Sequence, residues 1–168
     1  DTLLGHYLPA FQPRAKVKEK QHAKFYWFDA GVVRAAAGLL DGPPTSDWLG
    51  YALETLLFHE LRAYNNFSNQ TRKFYFYKTQ SNHEIDFVIE LRKGTTANRP
   101  KVILIEVKNS KRWNPQWEKT MRELHQSQQL EVAQMFGIYR GTEILKRGEI
   151  NVLPVTEFLK QLHAGRIF

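Results

Sequence analysis

The segment Val102-Ile-Leu-Ile-Glu-Val-Lys108 sets a carboxylate and an ammonium two positions apart in an otherwise apolar run. Read as a strand, it turns Glu106 and Lys108 to the same face. A carboxylate in a buried strand is costly unless it is paired, hydrogen-bonded or bound to a cation. Taken alone, the two residues read most simply as an ion pair at a strand end. Asp86 changes that reading, because Glu84-Ile-Asp-Phe-Val-Ile89 again sets an acid inside an apolar alternation, on what should be the neighbouring strand. Two carboxylates on adjacent strands repel unless something positive lies between them. Mg²⁺, or Mn²⁺ in its place, takes hard oxygen ligands and needs only one or two protein carboxylates. Such an ion polarises a phosphodiester and acidifies a bound water, and Lys108 can hold that water or stabilise charge on the phosphorane.

A third carboxylate comes from a helix. Residues 47–65 carry Leu49, Leu53, Leu56, Leu57 and Leu61 as an apolar stripe, with Ser46 or Asp47 as the expected cap. Glu54 borders that stripe, beside Leu57, Phe58 and Leu61. Glu60 is its rival, flanked by Leu56, Leu57, Ala63 and Tyr64. For either acid the plainer alternative is a carboxylate at the stripe's edge, in water.

The elements that must position these groups follow from pattern. Strands are expected over 73–77, 83–91 and 101–108, with a turn at Ser81-Asn82 and a polar loop over 94–100. The 83–91 strand should carry Ile85, Phe87 and Ile89 on one face and Glu84, Asp86, Val88 and Glu90 on the other. The 101–108 strand is apolar enough for burial on both sides. Asn114-Pro115 opens a helix lined by Trp117, Met121 and Leu124. A strand over 131–139, a hairpin turning at Gly148 and a helix from Pro154 to His163 complete the core. Upstream, Leu3, Leu4, Tyr7, Leu8 and Phe11 recur at roughly helical spacing, Phe25-Tyr-Trp-Phe28 has strand character, and 32–40 is a short helical candidate. Pro43-Pro44 marks a boundary, which divides the chain into a connector region, 1–44, and the main domain, 45–168.

The order helix-Glu54, Asp86, Glu106-Val107-Lys108 resembles the PD-(D/E)XK nuclease superfamily of restriction-endonuclease-like folds. The stretches Lys24-Phe-Tyr-Trp-Phe-Asp-Ala-Gly31, Gly50-Tyr-Ala-Leu-Glu-Thr-Leu-Leu-Phe-His-Glu-Leu61, Glu84-Ile-Asp-Phe87 and Ile105-Glu-Val-Lys-Asn-Ser110 look like the C-terminal domain of unknown function of prokaryotic AAA+ ATPases. The resemblance implies an α/β fold with a central mixed sheet flanked by helices, in the order αβββαβ. It implies that Glu54, Asp86 and Glu106 bind Mg²⁺ and that Lys108 assists the nucleophilic water in cleaving DNA. It also implies that 1–44 ends a preceding winged-helix-like segment, and that an ATPase module precedes that. No Gly-x-x-x-x-Gly-Lys-Ser/Thr phosphate loop occurs in this chain, so ATP belongs to that other module. The alternative is a catalytically inactive nucleic-acid-binding or protein-interaction module of the same ATPase. The Asp86 to Glu106 separation is long for the superfamily, and Ile85 stands where a Pro is usual. His83 stands where the subgroup often has Gly, and a solvent-facing turn is its plainer role.

Bulk properties agree with a polyanionic partner. The formal net charge is +7 and the hydrophobic fraction of 42% is that of a folded domain rather than a disordered one. There are no cysteines, which excludes disulfides and thiolate metal sites and fits a cytoplasmic setting. No apolar run reaches membrane-spanning length, so no membrane partner is expected. Lys111, Arg112 and Trp113, with Trp117 nearby, combine charge and stacking surface for nucleic acid, although a Trp at a helix start more often packs. Arg14, Lys16, Lys18, Lys20 and Lys24 either track phosphates or solubilise the connector. Gln126, Gln128 and Gln129 follow the second core helix, where some superfamily members place a Gln near the site; an exposed helix end is the plainer reading.

Overall fold

A computed structural model describes residues 4–12, 22–79 and 83–168. Arg14, Lys16, Lys18, Lys20 and the Ser81-Asn82 turn lie outside the described residues. A six-stranded mixed sheet in the order β3-β4-β5-β6-β8-β7 forms the centre. Its strands are β3 (Lys73–Lys78), β4 (Glu84–Arg92), β5 (Lys101–Lys108), β6 (Glu131–Tyr139), β7 (Leu145–Arg147) and β8 (Ile150–Pro154). β3, β4 and β5 run antiparallel in succession, β5-β6 and β6-β8 are parallel, and β7 closes the edge antiparallel to β8. Helices α2 (Ser46–Phe67) and α4 (Val155–His163) cover one face, and α3 (Lys119–Gln126) the other. The chain is therefore α/β, with four helices, this sheet and a small separate hairpin among the described residues.

β5 is the axis of both cores. Ile103, Ile105 and Val107 pack under α2 and α4, while Val102 and Leu104 pack under α3. Residues 102–107 are all buried, as expected for a strand covered on both sides. On α2, Leu53, Leu57, Phe58 and Leu61 are buried, but Leu56 is exposed; the stripe is carried by Phe58 instead. Thr45, rather than Ser46 or Asp47, caps α2: its Oγ1 accepts from Trp48 N at 3.3 Å. At the far end, the buried Asn65 side chain exchanges two hydrogen bonds with the Arg72 backbone and fixes where β3 begins.

One upstream expectation changes. The segment around Tyr7 is not helical: β1 (Gly5–Leu8) pairs antiparallel with β2 (Lys24–Trp27). Leu8 and Tyr26 of this hairpin belong to the same hydrophobic core as α2, and Phe11 belongs to the α3 core. Residues before Pro43-Pro44 thus help to build the sheet's two cores. α1 (Ala30–Ala36) follows, with the Asp29 Oδ1 accepting from Val32 N at 2.8 Å.

The strict alternation expected along β4 also fails. Tyr75 pairs with Val88 but Tyr77 pairs with Ile85, so β4 carries one extra residue between these two pairs. This bulge moves Ile85 into the α3 core with Val88, opposite Phe87 and Ile89.

α3 is preceded by a 3₁₀ turn, Pro115–Glu118, capped by Asn114 as expected. Glu118 is buried there and accepts from Trp113 Nε1 at 3.0 Å, Arg147 Nε at 3.1 Å and the Arg122 guanidinium. Burial favours the neutral acid, but these three donors outweigh it and hold the carboxyl below its usual value. The Trp113 indole in turn covers Gly137 so closely that a Cβ there would lie 2.4 Å from the ring. Gly137→Ala should therefore cost about 1–3 kcal/mol in urea unfolding. Glu118→Gln should cost about 2 kcal/mol at neutral pH. Because the folded carboxyl titrates below the unfolded one, its stabilisation is present above the unfolded value and is lost as pH falls through the folded value. The gap between wild type and Glu118→Gln should shrink as unfolding is measured at progressively more acid pH.

Candidate active site

The β4–β5 ladder runs as far as Phe87↔Ile105. Beyond that pair the Val107 N–H is taken by a side chain: Asp86 Oδ2 accepts it at 2.7 Å. The strands part here, and the acids collect at the opening. Glu106 pairs through Oε1 with Lys108 Nζ at 2.5 Å, confirming that the two share a face. Its other oxygen, Oε2, is buried with no hydrogen-bond partner. Gly137 lies across from Glu106 on β6, and the Trp113 ring sits over that glycine.

Glu54 reaches the same place from α2, held by the Tyr26 hydroxyl, which donates to its Oε2 at 3.1 Å. Glu60 does not: it pairs with His163 at 2.9 Å on the surface. The structure therefore brings Glu54, Asp86, Glu106 and Lys108 together, each within electrostatic reach of Asp86.

Two members were not singled out in the sequence as site residues. Lys24, grouped there with the connector lysines, points inward from β2. Its Nζ lies 3.7 Å from Glu54 Oε2 and 3.8 Å from Asp86 Oδ1, and it is in tight contact with Glu84 Oε1. Glu84 is the second missed residue, and Lys78 sits 3.8 Å from its other oxygen at the rim. The signal for Lys24 was its place two positions before Tyr26 at the head of an aromatic strand, which puts both on one face.

The electrostatics are those of crowded acids. Burial pushes the Glu54 carboxyl up to about 7, Asp86 adds to the rise, and Lys24 and the Tyr26 hydroxyl oppose it. Asp86 is raised by burial against the pull of Lys108, Lys24 and the Val107 N–H. Glu106 is raised well above its ordinary range by burial and by Asp86, with Lys108 opposing. For Lys24 and Lys108, burial disfavours the charge, but the surrounding carboxylates more than offset it and raise both.

Among the described residues, no three His, Cys, Asp or Glu side chains gather in a geometry that holds a metal ion. A hard divalent ion that keeps several waters needs only one or two carboxylates, however. Asp86 and Glu106 fit that requirement: both are buried, they lie on adjoining strands, and Glu106 Oε2 lacks any other partner.

The remaining sequence candidates fall elsewhere or are otherwise engaged. Trp113 spends its ring on Gly137 and Trp117 and its N–H on Glu118, so it packs rather than offering a free stacking face. Lys111 and Arg112 are exposed beside it. His83 is 3.8 Å from Glu123 of α3. Gln126 and Gln128 line a groove with Arg92 and Arg99, and Gln129 lines an adjoining one of about 900 Å³ beside the 94–100 loop. Both grooves lie at the Lys101 end of β5, opposite Lys108, and neither is lined by Glu54, Glu84, Asp86 or Glu106.

Residues 49–158, which span α2 to α4 and include Glu54, Asp86, Glu106 and Lys108, match the family model described as "Domain of unknown function (DUF4143)". The chain belongs to the DUF4143 family. No curated protein and no solved structure matches it. Lys24 and Tyr26 lie upstream of the part that matches the DUF4143 model. No helix among the described residues is long and apolar enough to cross a membrane.

A buried carboxylate with an unpartnered oxygen is an expense that folding alone does not justify. Glu106→Gln keeps an oxygen for Lys108 and removes the buried negative charge. It should raise stability at neutral pH by about 1 kcal/mol in denaturant unfolding. A loss of stability would mean that the charge is part of what holds the sheet end together.

Proposed function

We propose that this DUF4143 domain is a divalent-metal-dependent phosphodiesterase of the PD-(D/E)XK type that acts on DNA. In this reading it is the C-terminal effector of a AAA+ ATPase, and its restriction-endonuclease-like core is the helix-flanked mixed sheet built around β4 and β5. The observation that carries the proposal is the buried Glu106 carboxylate, with one oxygen on Lys108, the other unpartnered, and the Asp86 charge within electrostatic reach.

Asp86 and Glu106 would hold Mg²⁺ or Mn²⁺, with Glu54 as the outer carboxylate. When bound, such an ion would supply positive charge at the scissile phosphate and make a nearby water more acidic. Lys108, held by Glu106, would orient the attacking water and stabilise the charge that builds on the phosphorane. Tyr26 fixes Glu54 by its hydroxyl, which keeps that carboxylate facing Asp86. The positive net charge favours approach of a polyanion. Exposed Lys111 and Arg112 sit just beyond β5, where a backbone leaving the site would pass.

One observation favours a second reading. The acids are already counter-charged by Lys24 and Lys108, as in a scaffold kept for binding rather than hydrolysis.

Labelled single-stranded, duplex and branched DNA, incubated with Mg²⁺ or Mn²⁺, separates the two. Nuclease activity predicts cutting that disappears in Asp86→Asn and Glu106→Gln and falls roughly 100-fold in Lys108→Met. Millimolar Mg²⁺ should also raise the thermal midpoint of the wild type and not of Asp86→Asn. Salt-sensitive DNA binding that is indifferent to all three substitutions, without cutting in the presence of the ATPase module, would establish the binding module.

A further inference from the structure

The proposed metal site contains a cation that belongs to the chain itself. Lys24 Nζ lies between Glu54 and Asp86, touching Glu84. It is about three-quarters buried, with a side-chain exposure of 26%. Asp86 has committed Oδ2 to the Val107 N–H, so Oδ1 is the oxygen left for a metal, and Oδ1 is the one facing Lys24. Glu106 has committed Oε1 to Lys108, and its Oε2 is unpartnered. An ion held by Asp86 Oδ1 and Glu106 Oε2 would share Asp86 Oδ1 with the Lys24 ammonium.

A dication and an ammonium at one carboxylate oxygen repel each other, in a setting where burial weakens screening. Lys24 has somewhere to go. It is carried on a two-stranded hairpin that is separate from the main sheet and joined to it near Ala10↔Phe76. It also has Glu84, at the rim beside Lys78, as an outward partner.

From this geometry we propose that Lys24 is a tethered competitor of the divalent cation: it neutralises Glu54 and Asp86 when the metal is absent and sets how tightly the metal binds. This rests on the metal-site reading above and adds a specific regulator to it. The metal-free site is thereby spared the full repulsion of its acids. Cation entry is coupled to withdrawal of a side chain on β2 rather than to any change in the sheet.

The test is Mn²⁺ binding to the protein, followed by electron paramagnetic resonance and calorimetry without substrate. Wild type is compared with Lys24→Met, Lys24→Gln, Lys24→Arg and Asp86→Asn. Folding of each is checked by near-ultraviolet circular dichroism. Lys24→Met and Lys24→Gln should bind Mn²⁺ at least about tenfold more tightly, since each deletes one competing charge. Lys24→Arg should stay close to wild type. Binding that depends on Asp86 but is unchanged or weakened in both neutral variants would overturn the competitor role and leave the metal site standing. Absence of Asp86-dependent binding in every variant would overturn the metal-site reading and this inference with it. The glutamine variant keeps a polar side chain among the acids, so the comparison survives if the methionine variant does not fold.

Discussion

The hydrogen bond from the Val107 N–H to the Asp86 carboxylate organises the acid end of this protein. A backbone donor inside a sheet must be satisfied, and normally the next carbonyl in the ladder does so. Here a side chain takes that place immediately after the last β4–β5 pair. The substitution lets the strands part without orphaning a buried N–H. It also fixes Asp86 against β5 and leaves its second oxygen free to face Lys24 and the acid cluster. The bulge in β4 works with it, because the extra residue breaks the register around Asp86 while keeping Ile85 and Phe87 in the two opposite cores.

The rest of the architecture packs around this opening. α2 brings Glu54 in beside Leu57 and Phe58, both fully or almost fully buried. Tyr26 closes the near side, its ring against Phe58 and Phe87 and its hydroxyl on Glu54. Trp113 closes the far side over Gly137, and its N–H is anchored by Glu118, which also ties α3 to β7 through Arg147. At the strand end, Asn109 donates to Ser46 O and accepts from Arg140, which links β5 to the start of α2. Burial and mutual repulsion push the acids toward protonation, and Lys24, Lys108 and fixed donors oppose it. Placing so much like charge in one pocket opposes stability, which is the arrangement expected where a site rather than a core is being built.

Much of this was legible before any coordinates. β5 declares itself by its apolar run, and the Glu106–Lys108 spacing follows from a two-residue period. α2 shows its stripe, and Glu54 is recognisable as an acid on its border. What the sequence concealed depends on distance in space. Lys24 follows a basic stretch and looks like one more solvated charge; only the pairing of β2 with β1 turns it inward. The bulge in β4 has no glycine or proline to mark it, so simple alternation puts Ile85 on the wrong face. The apolar spacing around Leu8 suits a helix, whereas antiparallel pairing with β2 makes the segment a strand. Glu118 carries no periodic signal at all, because its burial is compensated by partners on three different segments.

The segment matched by the family model begins at residue 49, after the hairpin that supplies Leu8, Lys24 and Tyr26. A polypeptide cut at that point would keep all four acids and lose the ammonium between Glu54 and Asp86. It would also lose the tyrosine that orients Glu54, and the Phe58 and Phe87 rings would face water where Tyr26 had covered them. The hairpin and the matched segment thus share one hydrophobic core. The hairpin upstream of residue 49 is as much a part of the pocket as the sheet itself.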